Sequence, residues 1–550
     1  MNIGEMQRKL SLWAERDRQR KFYGLFDLIS DLDWLRLAHA YVAQNAGSKT
    51  AGCDGIDMER FDVRLEDNLL QLHESLQSDK FEACPVRRVY IPKANGKLRP
   101  LGIPSIRDRI VQEAMRMALE PIYEADFSQL SYGFRPNRCT MDAIQRLQTR
   151  LHEWAKYFWV IEGDIAACFD TINHRKLMKL LAKRINDARF LDLIWKFLRA
   201  GVMERRLFKA TNLGTPQGGI ISPLLANIYL HELDQHMEQY AGLNPNQRVG
   251  RREKGMANFA YARYADDFVI LCNGTKEQAL AMRAEVHDFL QTKLRLTLSL
   301  EKTKVTHIDD GFDFLGFTLK RSMGHHGMAT KVLISAKAVR KHRDTIQAAT
   351  APDTHQTSVR AKILALNLII AGWCRYYQFT GKPSIQFRPL VQLAYWRMAH
   401  WLGRKFKLNM PAIMRRYRHG DTLGDENCSL IRHDSFKARR YRLSPSKPNP
   451  YTTQAVIERE ELLDDKPWLG QETRLGMADL RPLVLERDGY TCRLCKKPVS
   501  RTTANVDHIR PMRYFKRPVD ANALDNLWTL CIPCHQEKTE YDRQMESRMQ

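Results

Sequence analysis

Two adjacent carboxylates, Asp266 and Asp267, stand directly before an apolar run of strand length at residues 268–272. This position predicts a hairpin turn at which both side chains are exposed. Farther upstream, an apolar run at residues 158–161 leads to Asp164. If the two strands are neighbours in one sheet, Asp164 and Asp266 face each other, and the carboxylates could hold two divalent metal ions for phosphate chemistry. Acids at strand ends can also be plain turn or capping residues, and the Asp pair by itself leaves that alternative open.

Four cysteines near the end of the sequence form two Cys-x-x-Cys pairs, Cys492 with Cys495 and Cys531 with Cys534. Four thiolates at this spacing predict a closed tetrahedral zinc site, which would stabilise a domain too small for a large core. A pair of disulfides is the alternative. Most of the other cysteines stand singly, as is typical of reduced thiols in a cytosolic protein, and this favours zinc.

Four polar residues lie between and just after these cysteine pairs: Asp507, His508, Asn526 and His535. With the cysteines they resemble the motif of HNH nucleases. The resemblance implies that His508 is the general base for an attacking water, that Asn526 orients His508, and that Asp507 and His535 hold one Mg²⁺ or Mn²⁺. A zinc ribbon that only binds DNA is the alternative, although it would need the cysteines alone.

The composition points to nucleic acid as the partner. The 550 residues include 87 Lys plus Arg against 63 Asp plus Glu, a net charge of +24. A surplus of this size attracts polyanions and releases counterions on contact. No apolar run is long enough to span a membrane, and the first residues resemble neither a signal peptide nor a transit peptide. We therefore expect a cytoplasmic protein, associated with the bacterial nucleoid through RNA and DNA and not with a membrane.

One short stretch, residues 396–420, contains seven basic residues and no acid: Arg397, Arg404, Lys405, Lys407, Arg415, Arg416 and Arg418. Trp396, Trp401, Phe406 and Tyr417 interleave with them. Unbalanced cations repel one another unless a polyanion lies against them, so the stretch predicts binding of structured RNA by shape and backbone.

The elements that must position these residues can be read from the apolar pattern. We predict two or three short helices within residues 10–42, strands at 86–92, 159–164 and 268–272, and helices at 107–119 and 223–233. Residues 243–258 have the composition of a mobile polar insertion, and the polar stretch 345–358 separates this α/β region from a helical one at 359–417. Within the helical region, Trp373 is predicted to be packed.

Several blocks resemble the reverse transcriptases of the group II intron lineage, and the resemblance covers nearly the whole sequence. The blocks are residues 88–93, 98–104, 131–136, 214–224, 264–267, 314–317 and 366–377. The match implies that Lys93 and Arg99 contact the triphosphate of an incoming nucleotide and that Gln217 lies against that nucleotide. It places the block at 131–136 along the template. The glycines of residues 214–219 would let the backbone approach a substrate closely.

Phe169 follows Asp164 by five residues, where this polymerase class carries an aromatic side chain that excludes a ribose 2′-hydroxyl. An ordinary packed Phe is the alternative. One departure is local: Ala166 and Ala167 stand where the family often has Lys-Gly, and neither is a metal ligand.

The fold expected from the resemblance is multidomain α/β plus α. A right-hand polymerase with fingers, a palm built on an antiparallel sheet and a helical thumb precedes a small zinc-bound ββα-type HNH domain. The expected bounds are an N-terminal extension with the start of the fingers at 1–73, fingers and palm at 74–320, thumb or maturase domain at 335–425, a basic DNA-binding linker at 426–478 and the nuclease at 479–550.

The expected function is that of a protein encoded in a bacterial group II intron. It would bind intron RNA and assist splicing, nick double-stranded target DNA, and extend the primer with dNTPs on the intron RNA. Asp164, Asp266 and Asp267 would bind two Mg²⁺, and the nuclease one further divalent ion and a structural Zn²⁺. The alternatives are a splicing factor with inactive enzyme domains and the reverse transcriptase of another retroelement.

Overall fold

The computed structural model describes residues 2–92, 98–152, 156–204, 207–209, 214, 218–299, 303–324, 327–381, 383–425, 428–443, 447–452, 477–500, 503–510 and 524–549. The chain divides into two compact units. The first contains residues 1–127, 167–229 and 448–550, and the second contains 128–166 and 230–447. Each unit is therefore assembled from separated segments, and the five domain bounds expected from the sequence stay predictions.

The first unit is built around a long helix, Ile106–Asp126, which Ser105 caps by accepting a hydrogen bond from the Asp108 amide. Its other α-helices are Ile3–Arg16, Leu25–Ser30, Leu32–Gln44, Met58–Asp62, Leu65–Gln77, Cys168–Thr171, His174–Leu181, Ala188–Arg199, Met477–Arg487 and Ile532–Met549. The indole of Trp34, fully buried, donates a hydrogen bond of 3.0 Å to the Ala114 carbonyl and ties the third helix to the long one. The predicted N-terminal helices are confirmed.

Two sheets belong to the first unit. The four-stranded one has the order Leu98–Ile103, Val86–Pro92, Val202–Glu204, Leu207–Lys209, and its first two strands form an antiparallel hairpin. The two-stranded one pairs Ala504–His508 antiparallel with Leu527–Cys531. Helix Ser222–Ala241 begins in the first unit and ends in the second.

The second unit contains the sheet predicted to carry chemistry, with the order Phe259–Tyr264, Asp267–Cys272, Trp159–Asp164, Val305–His307. All three strand predictions are confirmed to within one residue. A second sheet has the order Gly327–Ile334, Phe317–Gly324, Phe312–Phe314, and a third consists of Arg418–His419, Thr422–Asp425 and Cys428–Ser429. The third sheet was not predicted, because its strands are too short to show an alternating apolar pattern.

The helices of the second unit are Thr140–Arg150, Pro245–Glu253, Lys276–Phe289, Ala336–Ala349, Val359–Tyr377, Pro383–Phe406 and Met410–Tyr417. The last three confirm the predicted helical region. Helix Ala336–Ala349 runs into the stretch 345–358 that was predicted to separate the regions. The insertion at 243–258 contains a helix that the prediction missed. A capping box of Asn244 with Gln247 and the Pro at its first position start this helix, which buries no side chain and so shows no apolar period.

No helix within the described ranges is both long and apolar enough to cross a membrane.

Candidate functional site

The three predicted aspartates lie at one end of the main sheet of the second unit. Strand Trp159–Asp164 pairs antiparallel with Asp267–Cys272, as predicted, and Asp267 is the residue directly opposite Asp164. Asp266 lies beside them in the two-residue turn that joins Tyr264 to Asp267. The prediction placed Asp266 opposite Asp164, and the register corrects this by one residue. Directly opposite residues in an antiparallel pair point to the same face of the sheet, so the side chains of Asp164 and Asp267 lie on one face.

The register of these strands is locked by Gly163. Its partner in the ladder is Phe268, and a Cβ at position 163 would come within 2.1 Å of the Phe268 ring. The ring, fully buried, therefore occupies the space that any other residue at 163 would need. This contact fixes the pairing one residue before the carboxylates.

A buried ion pair supports the turn. Arg263 and Asp234 are both fully buried, with a guanidinium nitrogen 2.5 Å from the carboxylate. A second guanidinium nitrogen of Arg263 donates a hydrogen bond of 2.8 Å to the carbonyl of Ala265, inside the turn. The hydroxyl of Tyr261 donates to the same carboxylate at 3.0 Å, and burial raises the pKa of Tyr261 well above its usual value. Arg263, Asp234 and Tyr261 were not predicted as site residues, because burial of a charged pair leaves no mark in the sequence.

A second segment packs against the turn from outside. The Tyr132 amide donates a hydrogen bond of 2.9 Å to the Arg263 carbonyl, and a Cβ at Gly133 would lie 2.3 Å from the Ala265 nitrogen. Ala265 itself has a φ of +58°, a conformation that costs energy for a residue with a side chain. The block at 131–136, for which the resemblance implies contact with a template, is thus also the backbone support of the aspartate turn.

In the first unit, Arg99 lies on the hairpin, opposite Ile91, and is exposed. Lys93 lies outside the described residues. Phe169, half-buried, belongs to the short helix Cys168–Thr171, which follows Ala167 at a φ of +47°.

Two glycines of the block 214–224 lie close to the protein's own backbone. Gly214, with a φ of +87°, has its Cβ position 2.8 Å from the Asp170 carbonyl oxygen, and Gly218, with a φ of +119°, has its Cβ position 2.5 Å from the Gly102 oxygen. The sequence predicted that these glycines would let the backbone approach a substrate. In the structure, Gly214 and Gly218 let it approach neighbouring segments of the protein instead. Gln217 lies outside the described residues.

The four cysteines come together. Their sulfurs all lie within 4.8 Å of one another, and the Cys495 and Cys531 sulfurs are 3.7 Å apart. A tetrahedral ion with bonds of about 2.3 Å to sulfur would separate its ligands by about 3.8 Å. All four are free thiols, so the disulfide alternative is wrong for this arrangement.

The electrostatics of this cluster favour a cation. Burial alone would raise the pKa of Cys492, but hydrogen bonds from the backbone of Cys495 and Cys531 outweigh it and lower the pKa to about 7. Burial and the neighbouring sulfurs raise the pKa of Cys534. A divalent ion would remove the repulsion that four crowded thiolates impose.

The nuclease-like residues lie on the two-stranded sheet beside the cysteines. Asp507 and His508 end one strand, and His508 is opposite Leu527 at the start of the other. The side-chain amide of Asn526 accepts a hydrogen bond from the Arg510 amide at 2.9 Å and donates one to its carbonyl at 3.1 Å. Asn526 therefore fixes the backbone two residues after His508, and the hydrogen bond to His508 that the resemblance implies stays a prediction.

His535 lies in the first turn of helix Ile532–Met549, which packs on both strands. One turn later, Lys538 is buried, and its ammonium lies 3.8 Å from a carboxylate oxygen of Asp507. Sequence reasoning gave Lys538 no role. Its spacing of three residues after His535, which puts both on one helix face, was the available signal.

The basic stretch 396–420 contains cations that are exposed to solvent and cations that are half-buried. Arg404, Lys407, Arg415, Arg416 and Arg418 are exposed, and Arg397 and Lys405 are half-buried. Lys405 donates a hydrogen bond of 2.6 Å to the His355 carbonyl. Trp401 is fully buried core, whereas Trp396 is 47% exposed. Trp373 packs against the core and stacks on His342 at 4.3 Å, as predicted.

Comparison with known families gives three matches along the chain. Residues 91–319 match reverse transcriptase (RNA-dependent DNA polymerase), residues 339–418 match the group II intron maturase-specific domain, and residues 492–540 match HNH endonuclease. The chain belongs to the group II intron-encoded proteins. The four cysteines and the Asp507–His508 strand fall inside the third match, which decides against a simple zinc ribbon.

Relatives agree with this family. The chain is 45% identical to Protein YkfC of Escherichia coli over 60% of its own length and 91% of that protein. It is 34% identical to the group II intron-encoded protein LtrA of Lactococcus lactis, over 57% of this chain and 59% of LtrA. An uncharacterized 91 kDa protein in the cob intron of Schizosaccharomyces pombe is 34% identical over 64% of this chain and half of that protein.

The matches indicate an RNA-directed DNA polymerase, a maturase and an endonuclease in one chain, and they imply intron RNA and DNA as partners. Both enzyme domains generally use divalent metal ions. A multifunctional intron-encoded protein, as predicted, is confirmed.

The contribution of the buried Arg263–Asp234 pair to the turn can be tested by removing the carboxylate. Asp234→Ala should leave the Arg263 guanidinium buried without its counter-charge and lower stability by about 3–5 kcal/mol. The matched control is Asp309→Ala, which removes the partly exposed partner of Arg321 and should cost about 1 kcal/mol or less. Thermal unfolding of the two variants measures the difference. Equal shifts in Tm would show that the Arg263 pair does not support the turn.

Proposed function

We propose that this protein copies intron RNA into DNA by target-primed reverse transcription, assists splicing of that RNA, and nicks the DNA strand that supplies the primer. The observation that carries the polymerase part is the pairing of two strands whose ends bring Asp164, Asp266 and Asp267 to one edge of one sheet. The fold we propose is that of a right-hand polymerase with fingers, palm and thumb, followed by the nuclease, with the domain bounds expected from the sequence.

At the polymerase site, Asp164 and Asp266 would hold two Mg²⁺ and Asp267 would complete the set. Such ions lower the pKa of a primer 3′-hydroxyl and neutralise charge on the leaving pyrophosphate. The protein's part is positional. The Gly163–Phe268 contact sets the register, and the Arg263–Asp234 pair holds the turn, so that the carboxylates keep one geometry while a nucleotide is exchanged.

Four residues are assigned to the incoming nucleotide. Lys93 and Arg99 would bind its triphosphate as cations flanking a hairpin, and Gln217 would lie against it. Phe169 would exclude a ribose 2′-hydroxyl. Its half-buried state fits an aromatic ring that offers one face to a substrate and packs the other.

In the nuclease, Cys492, Cys495, Cys531 and Cys534 would bind a structural Zn²⁺, for which their sulfur spacing is suited. His508 would deprotonate the attacking water, and Asp507 with His535 would hold one Mg²⁺ or Mn²⁺. Asn526 would orient His508 through a hydrogen bond, and its bonds to the Arg510 backbone hold it two residues from that side chain.

RNA binding is assigned to the seven cations of the stretch 396–420, five of them exposed, inside the maturase-specific match. Lys405 contributes least, because it is already bonded to the His355 carbonyl. A splicing factor with inactive enzyme domains is the poorer alternative. The polymerase site keeps its three aspartates, and the nuclease site keeps the residues that the motif requires.

The polymerase assignment predicts that Asp266→Asn removes most activity. Loss of one ligand charge should slow Mg²⁺-dependent primer extension on an RNA template by several orders of magnitude, because the ligand is needed at the reacting phosphate. Asp310→Asn, in the turn after strand Val305–His307, is the matched control and should extend at the wild-type rate. Extension by Asp266→Asn at a near wild-type rate would overturn the assignment.

The zinc assignment predicts loss of metal and of local structure in Cys495→Ser. The variant should retain less than one zinc per protein, and residues after 477 should become sensitive to protease, because a unit this small depends on its metal for stability. The control is Cys428→Ser, which changes a half-buried cysteine outside the cluster. Unchanged zinc content in the Cys495 variant would contradict the proposed ligand set.

The nuclease assignment predicts a separate loss in His508→Ala. This variant should keep its zinc, bind DNA normally and fail to nick, because it lacks only the base. Its reverse transcription from an added primer should persist. A fall in zinc content would mean that His508 is structural, and continued nicking would remove it from the mechanism.

A further inference from the structure

A groove in the second unit lies between helices Ala336–Ala349 and Pro383–Phe406. Its volume is about 510 Å³, within the range of about 300–1,000 Å³ that is usual for small-ligand sites. One face of the longer helix lines it with Leu393, Trp396, Arg397 and Arg404, and the shorter helix contributes Arg343. The groove is therefore part of the region that matches the maturase-specific domain.

Trp396 is the unusual residue of this groove. Its side chain is 47% exposed, while Trp401, five positions later on the same helix, is fully buried in the core. The ring of Tyr395 meets it edge-on at 5.4 Å, and His400 lies 6.3 Å away. A large aromatic surface is thus left open inside a concave site, where a flat partner could stack on it.

The charge of the lining selects the partner. Arg343 and Arg404 are exposed, Arg397 is half-buried, and the described residues that line the groove include no acid. Cations around an open aromatic ring suit a nucleotide, because the ring stacks on a base and the cations bind phosphates. A base inside a duplex has both faces covered by its neighbours, so the ring can serve only an unpaired one.

We propose that this groove binds one unpaired nucleotide of structured RNA, with its base stacked on Trp396 and the adjoining phosphates bound by Arg397 and Arg404. The proposal rests on the proposed function, in which this region binds intron RNA. It adds selectivity for an unpaired residue, which the cations of the basic stretch alone do not provide. Cations fix position and affinity, whereas a stacked base restricts binding to RNA that presents an unpaired residue at this point.

The test uses the full-length protein with two probes, a short oligoadenylate RNA and a fully paired RNA duplex of equal length. Trp396→Leu should weaken oligoadenylate binding about tenfold, in line with about 1–3 kcal/mol for base–aromatic stacking. Duplex binding should change by less than about twofold. Trp396→Phe, which keeps a ring, should recover most of the affinity. Ile385→Ala is the control, an exposed apolar side chain on the same helix outside the groove lining.

A second measurement separates stacking from charge. Arg397→Gln combined with Arg404→Gln should flatten the slope of log affinity against log salt by up to about 1.4, the value for two single-strand phosphates, while Trp396→Leu should leave the slope unchanged. Arg388→Gln, an exposed cation on the same helix outside the groove lining, should have less effect than Arg404→Gln.

The outcomes also separate this proposal from the proposed function. Equal weakening of both probes by Trp396→Leu, or no weakening of either, would overturn the nucleotide site while wild-type RNA binding and primer extension left the function intact. A changed oligomeric state of Trp396→Leu with unchanged RNA affinity would identify the groove as a protein interface and would also overturn it. Failure of the wild-type protein to bind either RNA would instead contradict the proposed function.

Discussion

The buried ion pair of Arg263 and Asp234 is the constraint on which the aspartate turn, and with it the proposed polymerase site, depends. Both side chains are fully buried, and the guanidinium also bonds to the Ala265 carbonyl, one residue before Asp266. A buried guanidinium without its carboxylate is costly, so the turn cannot relax without exposing or abandoning this charge. The strain of Ala265 at a positive φ is held by the same contact. Two acids that would otherwise sit in an ordinary hairpin are thereby kept in one geometry.

Close packing against glycine backbone surrounds this turn. Gly133 lies against Ala265, and Gly163 lies beneath the Phe268 ring, at distances that no Cβ could tolerate. In the other unit, Gly214 and Gly218 approach Asp170 and Gly102 in the same way. These glycines act on the protein's own segments, so a substitution at any of them would move an element and not merely crowd a substrate.

The sequence predicted those features that follow from local pattern. The strands ending at Asp164 and beginning at Asp267 are apolar runs, and the cysteine spacing indicates its site directly. Register was not predictable, because it depends on the ring of Phe268 filling the space above Gly163. The helix Pro245–Glu253 was missed because it starts from a cap and has no apolar face. Trp396 and Trp401 stand in similar basic surroundings, and only the packing of their helix separates the exposed ring from the core one.

The net charge of +24 attracts nucleic acid, whereas the negative charge of the three aspartates repels it. This opposition links the binding of nucleic acid to the binding of metal ions. Cations such as Arg404 attract a polyanion, yet three carboxylates at one sheet edge would repel the phosphates that must react there. The divalent ions proposed for those carboxylates would reverse the local sign, because each ion carries more charge than the side chain that would hold it. Metal binding and nucleic-acid binding at that edge must then strengthen each other reciprocally, since a favourable interaction between two ligands raises the affinity of both. On the proposed assignment, the basic surface would therefore gather RNA without metal, but that RNA would reach the aspartates only together with the ions.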